Sequence, residues 1–163
     1  MGPNSSAVLG AYAPGGFPTV YPNGFGTSMG VRIPAGANIV LAMHYPEGSA
    51  GMVDSTSVHI FFYPDTVTGV SEVAVAPVGF DFGFCAPANN TYTVSDNSGP
   101  IPSDISVLSV FPHMHLLGTS IISYAVTPMN DTINLINIPE WDFEWQDFYN
   151  FPEILRIPAG SSI

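Results

Sequence analysis

The stretch Thr119-Ser120-Ile121-Ile122-Ser123-Tyr124-Ala125-Val126-Thr127, then Pro128-Met129-Asn130-Asp131, then Thr132-Ile133-Asn134-Leu135-Ile136-Asn137-Ile138 decides the fold class. Its first arm alternates Ile121, Ser123 and Ala125 against Ser120, Ile122, Tyr124 and Val126. Period-two patterning of this kind puts successive side chains on opposite faces of a strand. Pro128 to Asp131 is a run of turn formers, so the two arms are expected to fold back on each other as a β-hairpin.

Working outward, Ile105 to Phe111 reads as another strand, and it leads into Pro112-His113-Met114-His115-Leu116-Leu117-Gly118. In an extended chain His113 and His115 share one face and Met114 takes the other. Two imidazoles on one face make half of a metal site; imidazole suits copper, zinc, iron and nickel, so the pair alone leaves the metal open. Pro112 cannot donate to a ladder, and Gly118 permits a close backbone approach, so the pair is expected near a strand end or on a sheet face lining a cleft. Downstream, Trp141, Phe143 and Trp145 alternate with Asp142, Glu144 and Gln146, which reads as a half-buried strand with an aromatic inner face.

Upstream, Asn38 to Tyr45 reads as a strand that carries His44 near its end, closed by Pro46 and Gly48. Ser55 to Tyr63 reads as a second strand with His59 either packed within it or supporting a ligand from behind, and Val70 to Ala76 and Thr91 to Val94 as shorter ones. Ala13-Pro14-Gly15-Gly16 and Tyr21-Pro22-Asn23-Gly24 read as turns. Arg32-Ile33-Pro34-Ala35-Gly36 recurs as Arg156-Ile157-Pro158-Ala159-Gly160, which points to a tandem of related β modules. The expected division is residues 1–66 as the end of one module and residues 67–163 as most of a second, with Pro64-Asp65-Thr66 at the break.

Composition narrows the function classes. Hydrophobic residues make up 46% of the 163 residues and charged residues 9%, a balance that supports a packed core rather than a disordered chain. Sixteen Gly, sixteen Pro, eleven Phe and seven Tyr favour an all-β fold with many turns. Two basic residues, Arg32 and Arg156, against thirteen acidic ones give a formal charge of −11, so no basic patch for nucleic acid or an anionic membrane can be built. No apolar run is long enough to span a bilayer, and Met1 to Ser6 lacks the basic and apolar regions of a signal peptide. The one cysteine, Cys85, excludes a disulfide within the chain; it reads as a small buried apolar residue or as half of a bridge to a segment outside the chain.

In order along the chain stand His44-Tyr45, Asp54-Ser55, Pro112-His113-Met114-His115-Leu116-Leu117-Gly118 and Trp141-Asp142-Phe143-Glu144-Trp145-Gln146. This series resembles the copper type II, ascorbate-dependent monooxygenases, the family of the peptidylglycine α-hydroxylating and dopamine β-monooxygenases, in its bacterial form. The resemblance runs from about residue 15 to the end. It implies jelly-roll-like antiparallel β-sandwich modules, each holding one copper. It implies that His113 and His115 belong to the oxygen-activating copper site and His44 to the electron-storing one. It also implies dioxygen, a small-molecule substrate and ascorbate or another reductant as partners, and a secreted, periplasmic or cell-surface location. The family's adjacent His-His pair, its methionine ligand and its disulfide framework have no counterpart in this sequence, so both sites lack ligands and further segments of a parent protein are expected to supply them. The alternative is a non-catalytic extracellular β-sandwich module that has lost complete copper sites.

Overall fold

The computed structural model of the chain describes residues 8–12, 16–24, 27–79, 83–85 and 87–163. Among these the regular structure is all strand, with no helix. The strands are β1 (Asn23–Gly24), β2 (Thr27–Gly30), β3 (Ser71–Glu72), β4 (Ile105–Val110), β5 (Ile121–Val126), β6 (Thr132–Ile138) and β7 (Tyr149–Ile157). Backbone contacts divide the chain into two compact units, Tyr21–Ala74 and a second formed by Val75–Ile163 with the described part of residues 8–20.

The larger unit is built from two antiparallel ladders, β4 with β7 and β5 with β6. The hairpin expected from the sequence forms as β5 and β6. Its turn is closed by Thr127 N–H donating to Asp131 C=O and Asn130 N–H to Thr127 C=O, at 2.9 Å each. Asn130 takes the left-handed conformation (φ 65°) that Asn tolerates better than most residues. The two ladders share one apolar core. Ala125 and Ile157 are fully buried and Leu135 nearly so, with Ile105, Val107, Val110, Ile133, Phe151 and Leu155 packed around them.

The β4–β7 ladder is irregular for a legible reason. Between the pairs Val107↔Leu155 and Ser109↔Asn150, β4 advances two residues while β7 takes five. Pro152 lies in the interrupted part, where it has no N–H to offer the ladder. Past the interruption Val110 packs on the core and Pro112 is buried, while His113 and His115 are exposed. The β7 end is fixed by Asp104, which pairs with the Arg156 guanidinium and accepts the Ala159 N–H at 2.8 Å. The Arg156 hydrogen bond, then that of Ala159, holds the Asp104 carboxyl below the usual carboxylate range.

The unit Tyr21–Ala74 has little regular structure. β1 pairs antiparallel and β3 parallel with β2, and Tyr63 packs over Gly30 while its hydroxyl donates to Met29 C=O at 2.9 Å. The strands expected over residues 38–45 and 55–63 do not form. Both stretches have strand composition, but neither finds a partner strand among the described residues, and a strand without a ladder is not stable in water. Val40 is 85% and Phe61 92% exposed, and His59 is exposed rather than packed. Residues 91–94 form no strand, and Cys85 is exposed rather than buried. Residues 13–15, most of one expected turn, and residues 80–82 lie outside the described residues.

Candidate metal centre

His113 and His115 emerge from the end of β4, as the proline before them and the glycine after them led us to expect. Their rings stand edge to face with centroids 5.1 Å apart, so the two imidazoles lie together. Met114, between them, folds back on Gly118. A Cβ at Gly118 would stand 2.8 Å from Met114 Cβ, 3.0 Å from its Cε and 3.1 Å from His115 C=O, so a glycine is required for the turn that Gly118 N–H closes on His115 C=O at 2.9 Å.

One ring is oriented by a residue whose role the sequence did not reveal. His113 Nδ1 lies 2.5 Å from Gln146 Oε1, and Gln146 Nε2 donates to Phe143 C=O at 2.6 Å. An amide oxygen can only accept, so the proton of a neutral His113 sits on Nδ1 and the lone pair on Nε2. This is the arrangement found around metal-bound histidines, where a partner at one ring nitrogen fixes the tautomer and presents the other. Three contacts fix the two ends of the segment that carries Gln146. Val110 pairs with Tyr149 in the ladder, the Phe111 and Phe148 rings meet at 4.9 Å, and Trp141 N–H donates to Thr119 C=O at 2.8 Å.

The segment carrying Gln146 is not the strand that its alternation predicts. Asp142 accepts Glu144 N–H on its side chain at 2.9 Å and Trp145 N–H on its carbonyl at 3.2 Å, which turns the chain. Asp competes with regular ladders in this way through its short acceptor side chain. The turn leaves Trp145 58% exposed, and Trp141 and Trp145 line a cleft of about 230 Å³ with Ile138, Glu140, Asp142 and Tyr149. Gln146 stood in the sequence as one more polar residue on an outer face, and only its place at the end of the Trp-Asp-Phe-Glu-Trp-Gln series marked it.

His44 belongs to the Tyr21–Ala74 unit and is exposed. Beside it the Tyr45 hydroxyl donates to Asp54 at 2.8 Å, and that hydrogen bond pushes the Tyr45 pKa up. Among the described residues no three His, Cys, Asp or Glu side chains gather where one ion could be held. The residues present therefore fit a metal in part. His113 and His115 supply two nitrogen donors, one of them oriented by Gln146, and no third His, Cys, Asp or Glu joins them among the described residues. No family model, curated protein or solved structure matches the chain.

Proposed function

We propose that this chain is part of a copper- and ascorbate-dependent monooxygenase of the jelly-roll type that hydroxylates a C–H bond of a small organic substrate. The observation that carries the reading is the His113–His115 ring pair with Gln146 at His113 Nδ1. Paired imidazoles suit copper, and a site with few protein ligands keeps positions open for oxygen. Copper, when bound, supplies the one-electron and oxygen chemistry that side chains cannot.

The chain's own residues do the positioning. His113 and His115 would hold the metal, and Gln146 keeps the Nε2 lone pair of His113 available to it. Gly118 lets Met114 fold back on the turn that follows the pair. In this reading His44 contributes to a second, electron-storing copper, together with histidines from other parts of the parent protein. A secreted, periplasmic or cell-surface setting accompanies the family.

Copper titration of the chain, followed by oxygen uptake of the parent protein with ascorbate, tests the reading. The double replacement His113→Ala, His115→Ala should abolish both stoichiometric copper binding at this site and uptake. Unchanged copper content and uptake would end it. The second reading, a non-catalytic module, is favoured by one observation, the lack of a third ligand among the described residues; it predicts no ascorbate-dependent uptake in the parent protein.

A further inference from the structure

The repeated turn has one copy that is clamped and one that is bare. Val31-Arg32-Ile33-Pro34-Ala35-Gly36-Ala37-Asn38-Ile39 and Leu155-Arg156-Ile157-Pro158-Ala159-Gly160-Ser161-Ser162-Ile163 share Arg, Ile, Pro, Ala, Gly and the closing Ile in register. The backbone repeats as well. Gly36 and Gly160 take φ of 78° and 80°, and Ala37 N–H to Pro34 C=O (3.1 Å) matches Ser161 N–H to Pro158 C=O (3.2 Å).

What surrounds the second copy is a strand with an aspartate just before it. Asp104 pairs with Arg156 and accepts Ala159 N–H, and β4 continues from it with Ser106 opposite Arg156. Upstream of Asp104 the same segment exchanges Gly160 N–H to Ile101 C=O, Ile101 N–H to Ser161 C=O and Ser98 N–H to Ile163 C=O, each at 2.8 Å. On the other side Val126 and Ser162 exchange a pair of backbone hydrogen bonds, and with Ala125 and Leu135 completing the core Ile157 and Ser161 are fully buried.

The first copy has none of this cover among the described residues. Ile33 is only half-buried, Ala37 is exposed and Ile39 is 54% exposed. Among the described residues Arg32 makes no ion pair, although the chain carries thirteen carboxylates for two cations. We infer that residues 31–39 are the docking edge for a β-strand of another polypeptide segment that carries an aspartate immediately before it, held as Asp104 and β4 hold the second copy. The aspartate would pair with Arg32 and accept Ala35 N–H, and the strand would cover Ile33 and Ile39. Backbone hydrogen bonds give such strand addition its affinity, and the Arg–Asp pair fixes its register. The inference does not rest on the copper reading.

The probe is a fluorescein-labelled peptide with the sequence of residues 98–110, the segment that clamps the second copy, titrated with the intact chain and followed by anisotropy. Its own slot is filled intramolecularly, at an effective concentration that the free peptide cannot match. Saturable binding is expected. Arg32→Gln in the chain, or Asp→Asn at the peptide position corresponding to Asp104, should each weaken it about two- to fivefold, and the two together no more than either alone. Arg32 has no ion pair to lose among the described residues, so its replacement should leave the fold intact, checked by circular dichroism. No saturable binding, or binding indifferent to Arg32→Gln, overturns the inference. Binding lost with Arg156→Gln and kept with Arg32→Gln overturns it too, because it would show exchange at the second copy.

Discussion

Replacing Gln146 by Ala removes the acceptor at His113 Nδ1 and leaves both candidate ligands in place. One neutral hydrogen bond contributes about 0.5–1.5 kcal/mol net. Partners that orient metal-bound histidines change metal affinity by about 10- to 100-fold, which corresponds to about 1.4–2.8 kcal/mol. His113 is exposed, so water can take the place of Gln146 Oε1, and the effect should fall at the lower end. Copper(II) affinity of Gln146→Ala, measured by calorimetric titration near neutral pH, should therefore drop about tenfold. The same replacement in a His113→Ala background should have no further effect, because Gln146 acts only through that ring. Equal affinity in wild type and Gln146→Ala, with a clear loss in His113→Ala, would refute the orienting role. So would an undiminished Gln146 effect after His113 is gone.

Other outcomes follow from the same geometry. Gly118→Ala forces a methyl group against Met114 Cβ and the His115 carbonyl, and should cost about 1–3 kcal/mol in urea unfolding while weakening copper binding. Ile157→Ala empties a fully buried position shared by both ladders and should cost about 2–5 kcal/mol; a loss under about 1 kcal/mol would contradict the core assignment. Asp104→Asn removes a carboxylate whose folded pKa lies below its unfolded value. Its contribution is present above the ordinary carboxylate range and is lost as pH falls through the lowered folded value, so wild type and Asp104→Asn should differ in melting temperature at neutral pH and converge in strong acid.

The fold class was legible because the decisive stretch needed only itself. β5 and β6 are joined by a short turn of Pro, Asn and Asp, and each arm finds its partner a few residues away. The strand patterns at residues 38–45 and 55–63 were misleading for the complementary reason. Alternation and β-branched composition report that a segment suits a sheet, but they do not supply the neighbour that makes it one. The alternation of Trp141 to Gln146 failed differently, because the Asp142 side chain captures a backbone N–H and turns the chain. At the candidate site the ring pair could be read from a spacing of two on an extended chain. The partner of His113 could not, since Gln146 lies thirty-three residues away and is brought there by the irregular β4–β7 ladder.

The most direct test of the central claim counts imidazoles on the bound metal. Pulsed electron paramagnetic resonance of the chain loaded with one equivalent of copper(II) should show modulation from two equatorial imidazoles, and His113→Ala with His115→Ala should remove it. A spectrum with fewer than two imidazoles, or one that survives the double replacement, would contradict the account.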